Sequence, residues 1–107
     1  MLPKAPALHA ILESALYVDD LDAAEDFYGR ILGLEQIQRV QGRHVFYRCG
    51  SAVLLLFNPA ETTKPPGNPQ LPVPPHGARG SGHLCFAQPR AALLQTRARL
   101  QEAGAAI

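Results

Sequence analysis

The chain has 107 residues, 47% hydrophobic and 18% charged, a balance that suits one globular domain with a modest core. A formal net charge of +1 excludes the strong fields that capture nucleic acid or an anionic membrane, and four Phe and three Tyr without any Trp argue against a stacking platform for single strands. Two cysteines cannot build a disulfide framework, Met1 to Ala10 lacks the apolar core of a signal peptide, and no apolar run approaches the ~20 residues that span a bilayer, so the expectation is a soluble cytoplasmic protein.

Ala10 to Val18 reads as a strand whose imperfect alternation suggests partial cover on both faces. Asp19 and Asp20 follow, and either can cap a helix by accepting backbone N–H bonds. Leu21, Ala24, Tyr28, Ile31 and Leu32 then recur at helical spacing, and Gly33 supplies the positive φ that ends the helix. Three short strands are expected next, Glu35 to Val40, His44 to Cys49 and Ala52 to Asn58, separated by Gln41-Gly42 and Gly50-Ser51. Ala52 to Phe57 is continuously apolar and should be the most buried of them. Cys49 and Cys85, each in a strand-like run, are expected to be small buried thiols.

Pro59 to Ser81 breaks the pattern: six of the chain's ten prolines lie between Pro65 and Pro75. This stretch reads as a linker, with part of it folded over a site. Order resumes at Gly82 to Gln88, expected to be a strand. Pro89 suits a helix N-terminus, and Leu93, Thr96, Leu100 and Ala103 mark the expected buried face of a helix that Gly104 stops. Ala105 to Ile107 could begin another strand.

The order is therefore strand, helix, three strands (residues 1–58), linker (59–81), then strand and helix (82–107). The fold class is α+β, and the last segment reads as a second copy of the first lacking its final three strands. Such an arrangement leaves an open sheet edge and a bare helix face, both of which invite a partner such as a second copy of the chain. No P-loop, dinucleotide glycine pattern or CxxC pair is present.

The stretch ILESALYVDDLDAAEDFYGRILGLE, from Ile11 to Glu35, resembles the opening strand and helix of a vicinal-oxygen-chelate module, the group of glyoxalase I, bleomycin-resistance proteins and extradiol dioxygenases. Leu21, Ala24, Phe27, Tyr28, Leu32, Gly33 and Leu34 carry the likeness. GSGHLCFA, Gly80 to Ala87, resembles the start of the second module of that group. The resemblance implies paired βαβββ modules forming a cup, a divalent metal (Zn, Ni, Fe or Mn) acting as Lewis acid, and a small organic ligand that chelates it. Transferred position by position, the ligands fall on Glu13 and His83. The fourth-strand position, often Glu, falls near Leu55, which cannot ligate, and the last would lie beyond Ile107. Two ligands make a weak site, since a catalytic zinc wants three protein ligands and a water.

Tyr17, Phe46, Arg48 and Leu55 are the expected pocket residues. Arg48 could reach an anionic substrate or form a solvated ion pair; Tyr17 and Phe46 could line the cup or merely pack. Glu13 could equally be a cavity-lining acid or a simply exposed one, and His83 a hydrogen-bonded pocket or core histidine. His76 reads as a loop contact or solvated, and His9 and His44 as surface residues. The functional expectation is a metal-assisted small-molecule site; the alternatives are a metal-free drug-sequestering module and an inactive remnant that persists as a paired chain. A homodimer is expected, with no nucleic-acid or membrane partner.

Overall fold

Asp20 fixes where the first helix begins. Its backbone is extended and its carboxylate accepts the Ala23 N–H at 3.0 Å, so of the two adjacent aspartates it is the cap. The computed structural model describes every residue except Pro66, Pro69, Leu71 and Pro72, which lie in the expected linker. Strand β1 (Glu13–Tyr17) leads into α1 (Leu21–Glu25), which continues as a wider π-helical segment over Asp26–Ile31. Gly33, at φ 75°, turns the chain out. Then come β2 (Glu35–Val40), β3 (His44–Cys49) and β4 (Ala52–Phe57), a short helix α2 (Pro59–Thr62), and α3 (Arg90–Glu102).

The strands form one mixed sheet in the order β1-β4-β3-β2, with β1 parallel to β4 and the two hairpins antiparallel. Gly42 and Gly50 take positive φ at the two hairpin turns, as their sequence positions require. A bulge between Gln36 and Gln38 shifts the register of β2 by one residue, so that Gln38 and Val40 share a face with Glu35. The helix lies on one face of this sheet. Leu21 and Ala24 from α1 meet Val45, Tyr47, Leu54 and Leu56 from β3 and β4, with Leu16, Val18, Tyr28 and Leu34 at the margin. Val45, Tyr47 and Leu56 have no exposed surface at all. Arg39 of β2 straps this layer from outside, pairing with Asp22 at 2.7 Å and Glu25 at 2.9 Å.

Several expectations change. Gly82 to Gln88 takes no regular secondary structure and is not a strand, and Ala105 to Ile107 does not begin one; among the described residues no strand follows β4. A strand exists through its ladder, and without a neighbour its N–H and C=O groups turn to water. The segment instead inserts Leu84 against the core under α1. Helix α3 forms as expected, but its apolar face is not buried: Leu93 and Ala103 are exposed, and only Ala92, Thr96 and Leu100 are partly covered. Arg99 anchors it, donating to the Ile31 and Arg30 carbonyls at 2.6 and 2.8 Å, where α1's helical continuation leaves its last acceptors open. Cys49 is half-buried and Cys85 exposed, so the second is not the buried thiol expected. β4 shares its depth with β3 rather than exceeding it.

Candidate functional site on the open face of the sheet

Side chains alternate along a strand, so every residue buried under α1 has neighbours aimed at the opposite face. The register assigns that face in three rows across the strands. The first row runs Glu13, Val53, Arg48, Glu35; the second, Ala15, Leu55, Phe46, Gln38; the third, Tyr17, Phe57, His44, Val40. No helix of the described chain packs there in the way α1 packs on the other side. The face has an apolar middle, a charged end and an aromatic end.

The charged end holds Glu13, exposed on the β1 edge, and Arg48, exposed on β3. Among the described residues neither takes part in an ion pair, unlike Arg30, Arg39 and Arg79. Arg48 therefore offers an uncommitted guanidinium beside the hydrocarbon of Val53 and Leu55, a combination suited to an organic anion.

The aromatic end is more built. His44 stacks on Phe46 with ring centroids 4.0 Å apart and planes 8° from parallel. One of its ring nitrogens meets Gln38 Oε1 at 3.0 Å and the other meets Arg43 at 2.6 Å. Burial, and then the Arg43 charge, push its pKa below the ordinary imidazole value, favouring the neutral ring. Tyr17 lies against Phe57, and His76 closes over both: its ring stands edge-on to Phe57 at 4.7 Å, and its Nδ1 is 2.8 Å from the Tyr17 hydroxyl. The segment carrying His76 is tied down at several points. The His76 N–H donates to the Thr62 carbonyl at 3.0 Å, and Arg79 pairs with Asp19 at 2.8 Å. Gly77 passes so near α2 that a Cβ there would stand 2.8 Å from Thr63 Cγ2.

Five residues singled out from the sequence, Glu13, Tyr17, Phe46, Arg48 and Leu55, thus share one face. His83 does not join them in any recorded bond. It sits exposed on the unpaired segment before α3. As a metal centre the donor set does not fit: Leu55 places hydrocarbon in the middle row, and among the described residues no group of three or more His, Cys, Asp or Glu side chains could hold an ion. Sequence reasoning missed three members of the face. His44 was expected at the surface but is buried, because Phe46 covers one side of its ring and Arg43 and Gln38 hold its nitrogens; strand parity with Phe46 is the signal that would have found it. Phe57 follows from the same parity with Leu55. His76 carries no such signal, since a Pro-rich loop has no periodicity to read.

The model of the glyoxalase/bleomycin resistance protein/dioxygenase superfamily matches residues 8–107. No curated protein matches the chain. Among solved structures, a lactoylglutathione lyase from Agrobacterium tumefaciens is similar at 43% identity and TM-score 0.78, over 91% of this chain and 71% of that one. A glyoxalase/dioxygenase from Nostoc punctiforme matches at 22% identity and TM-score 0.61, over 94% and 80% of the two chains. An integron cassette protein from the Halifax Harbour sewage-outfall metagenome matches at 18% and 0.66, over 91% and 72%. The last two are likenesses of fold alone.

Proposed function

The chain belongs to the glyoxalase/bleomycin resistance protein/dioxygenase superfamily, and from that premise we propose that it binds a small, oxygen-bearing organic anion on the open face of its sheet. The observation that carries this is the alternation just described. Leu55, Phe46 and Val53 provide an apolar floor, Arg48 an unpaired cation beside it, and Tyr17 a hydroxyl at the far end. Apolar surface with a few placed polar groups is the lining that small-ligand sites use. The 43% likeness to a lactoylglutathione lyase supports a ligand of that chemical kind, an acyl thioester or thiol adduct carrying carboxylates.

The two donors the family resemblance implies, Glu13 and His83, are too few to hold a divalent cation by themselves, so a Lewis acid at this face would need further ligands that the described residues do not supply. The chain's own contribution is to bind and orient: Arg48 fixes a carboxylate by charge-assisted hydrogen bonds, and Leu55 and Phe46 exclude water from the ligand's carbon skeleton. Leu55 favours a second reading, metal-free binding and sequestration, because hydrocarbon stands where a ligating carboxylate is common in relatives. We further propose a cytoplasmic homodimer of single-domain chains, each with a first module over 1–58, a linker over 59–81 and the start of a second module over 82–107, supported by two unpaired cysteines and the uncovered Leu93 and Leu94 on α3.

Calorimetric titration with S-lactoylglutathione tests the site. Saturable binding is expected, about tenfold weaker in Arg48→Gln, the loss that goes with one charge-assisted hydrogen bond. No binding, or equal binding by both proteins, would remove the basis of the proposal. Metal analysis of purified protein beside Glu13→Ala and His83→Ala then separates the two readings: metal lost in both variants supports the metal-assisted one, and metal-free protein that still binds the thioester supports sequestration.

A further inference from the structure

We infer that His76, supplied by the loop between α2 and α3, is a ligand-contacting residue of the open face, acting with Tyr17 as a hydrogen-bonding pair that receives an oxygen atom of the bound molecule. This rests on the open-face reading above and adds to it the partner of the ligand's oxygen.

The geometry points this way on three counts. His76 has been brought a long way: it lies 59 positions from Tyr17 in the chain, yet its Nδ1 stands 2.8 Å from that hydroxyl. Its placement is held independently of the ring, by the backbone bond to Thr62, by Gly77 against Thr63 and Pro59, and by the Arg79–Asp19 pair. The ring also lies over Phe57, whose register puts it in the same row as Tyr17 on the open face. A loop merely crossing the surface would need none of these ties.

The donor count gives the pair its chemistry. Neutral imidazole has one N–H, and a phenol has one O–H. If Tyr17 donates to Nδ1, the N–H of His76 is left on Nε2. If Nδ1 carries the proton and donates to the Tyr17 oxygen, the phenol O–H is left free. Whichever tautomer is present, one donor remains after the two residues have bonded to each other, and no other described residue takes up the Nε2 atom. A spare donor beside Phe57 fits a carbonyl, hydroxyl or carboxylate oxygen and disfavours an apolar tail, which would leave that donor unpaired. Arg48 lies two rows away, at the opposite end of β3's exposed face, so a ligand spanning the face would be held at one end by charge and at the other by this pair.

The test uses the full chain with 15N-labelled histidine and 15N-labelled arginine, and S-lactoylglutathione as probe. The His76 ring signals are assigned by their loss in His76→Phe, a change that keeps a ring against Phe57. On titration the His76 ring nitrogens are expected to shift saturably with the same midpoint as the Arg48 Nε signal. Affinity is expected to fall about threefold in His76→Phe and in Tyr17→Phe, because each leaves a donor without the partner that orients it, and about tenfold or more when the two changes are combined, because no donor then remains. If the Arg48 signal moves while the His76 nitrogens stay still, and His76→Phe binds as well as the parent, the inference falls and the open-face reading survives. If neither signal responds, both fall. Should His76→Phe not fold, His76→Gln supplies the assignment, and the ring shifts in the unsubstituted chain then decide.

Discussion

Leu55 and Leu56 are the same residue one position apart, and the fold uses them for different ends. Leu56 is wholly enclosed between α1 and the sheet, whereas Leu55 lies half-covered on the other side, between Ala15 and Phe46. The same division runs through β3, where Val45 and Tyr47 belong to the core while Phe46 and Arg48 belong to the open face. Period-two alternation separates the residues that hold the molecule together from those available to meet a ligand, with no need for separate segments of chain. The helix side is saturated with apolar contact; the open side keeps an unpaired guanidinium and carboxylate that would be costly inside a core.

The sharpest way to break that comparison is to truncate both leucines. Leu56→Ala is expected to cost about 2–5 kcal/mol, because it deletes fully buried carbon atoms and leaves a cavity that α1 cannot readily fill. Leu55→Ala is expected to cost about 1 kcal/mol or less, since its side chain already meets solvent on one side. Urea unfolding of the two variants measures both. The order should reverse in a binding assay, where Leu55→Ala weakens retention of S-lactoylglutathione more than Leu56→Ala does in protein that remains folded. Equal losses of stability would mean that the open face is covered as fully as the helix face.

A smaller effect probes the tightest point on the helix side. Gly29 lies in the π-helical segment, and a Cβ there would stand 3.1 Å from the hydroxyl of Tyr47. That hydroxyl is buried and has no hydrogen-bond partner among the described residues. The close passage explains why the residue is glycine despite helix propensities that favour alanine by about 1 kcal/mol. Gly29→Ala is expected to destabilise by about 1–2 kcal/mol, the crowding outweighing the propensity gain. Tyr47→Phe is expected to be close to neutral, as it removes an unpaired polar atom rather than a bond. Combining the two should recover most of the Gly29→Ala loss, so a double-mutant cycle by thermal melting reads the contact directly.

How far the sequence disclosed all this differs along the chain, for physical reasons. From β1 to β4 every element was legible. The apolar spacing from Leu21 to Leu32, the stop at Gly33 and the Gly42 and Gly50 turns are local signals, and local signals suffice where neighbouring elements pair. Gly82 to Gln88 has an equally strand-like composition, yet it stays unpaired, because composition reports a preference while a ladder needs a second strand. The face of α3 was misjudged for a related reason: helical spacing names a face without naming what covers it. In the site, the sequence reading reached Glu13 and Leu55 through the family resemblance and Tyr17, Phe46 and Arg48 through their strands, and alternation brings all five to one face. It could not reach His76, whose position depends on Gly77 threading past Thr63 and on an ion pair 60 residues apart in sequence.

His44 offers the finest distinction between the faces, and it is one of pH. It is the one buried histidine of the aromatic end, and burial together with Arg43 lowers its folded pKa below the ordinary value of about 6.5. In the unfolded chain the ring takes up its proton as pH falls through that ordinary value, while the folded protein resists doing so. The unfolded state therefore binds more protons across the interval between the two pKa values, and stability declines as pH drops through it, levelling once the folded ring is also protonated. His44→Phe keeps the stack on Phe46 and removes the titration. Its stability at pH 7.5 is expected to be lower by about 1 kcal/mol for the lost bonds to Gln38 and Arg43, while its decline between pH 7 and pH 5 is shallower than the parent's. Urea midpoints across that range measure the slopes, and parallel slopes would show that the aromatic end is open enough to water for His44 to titrate freely.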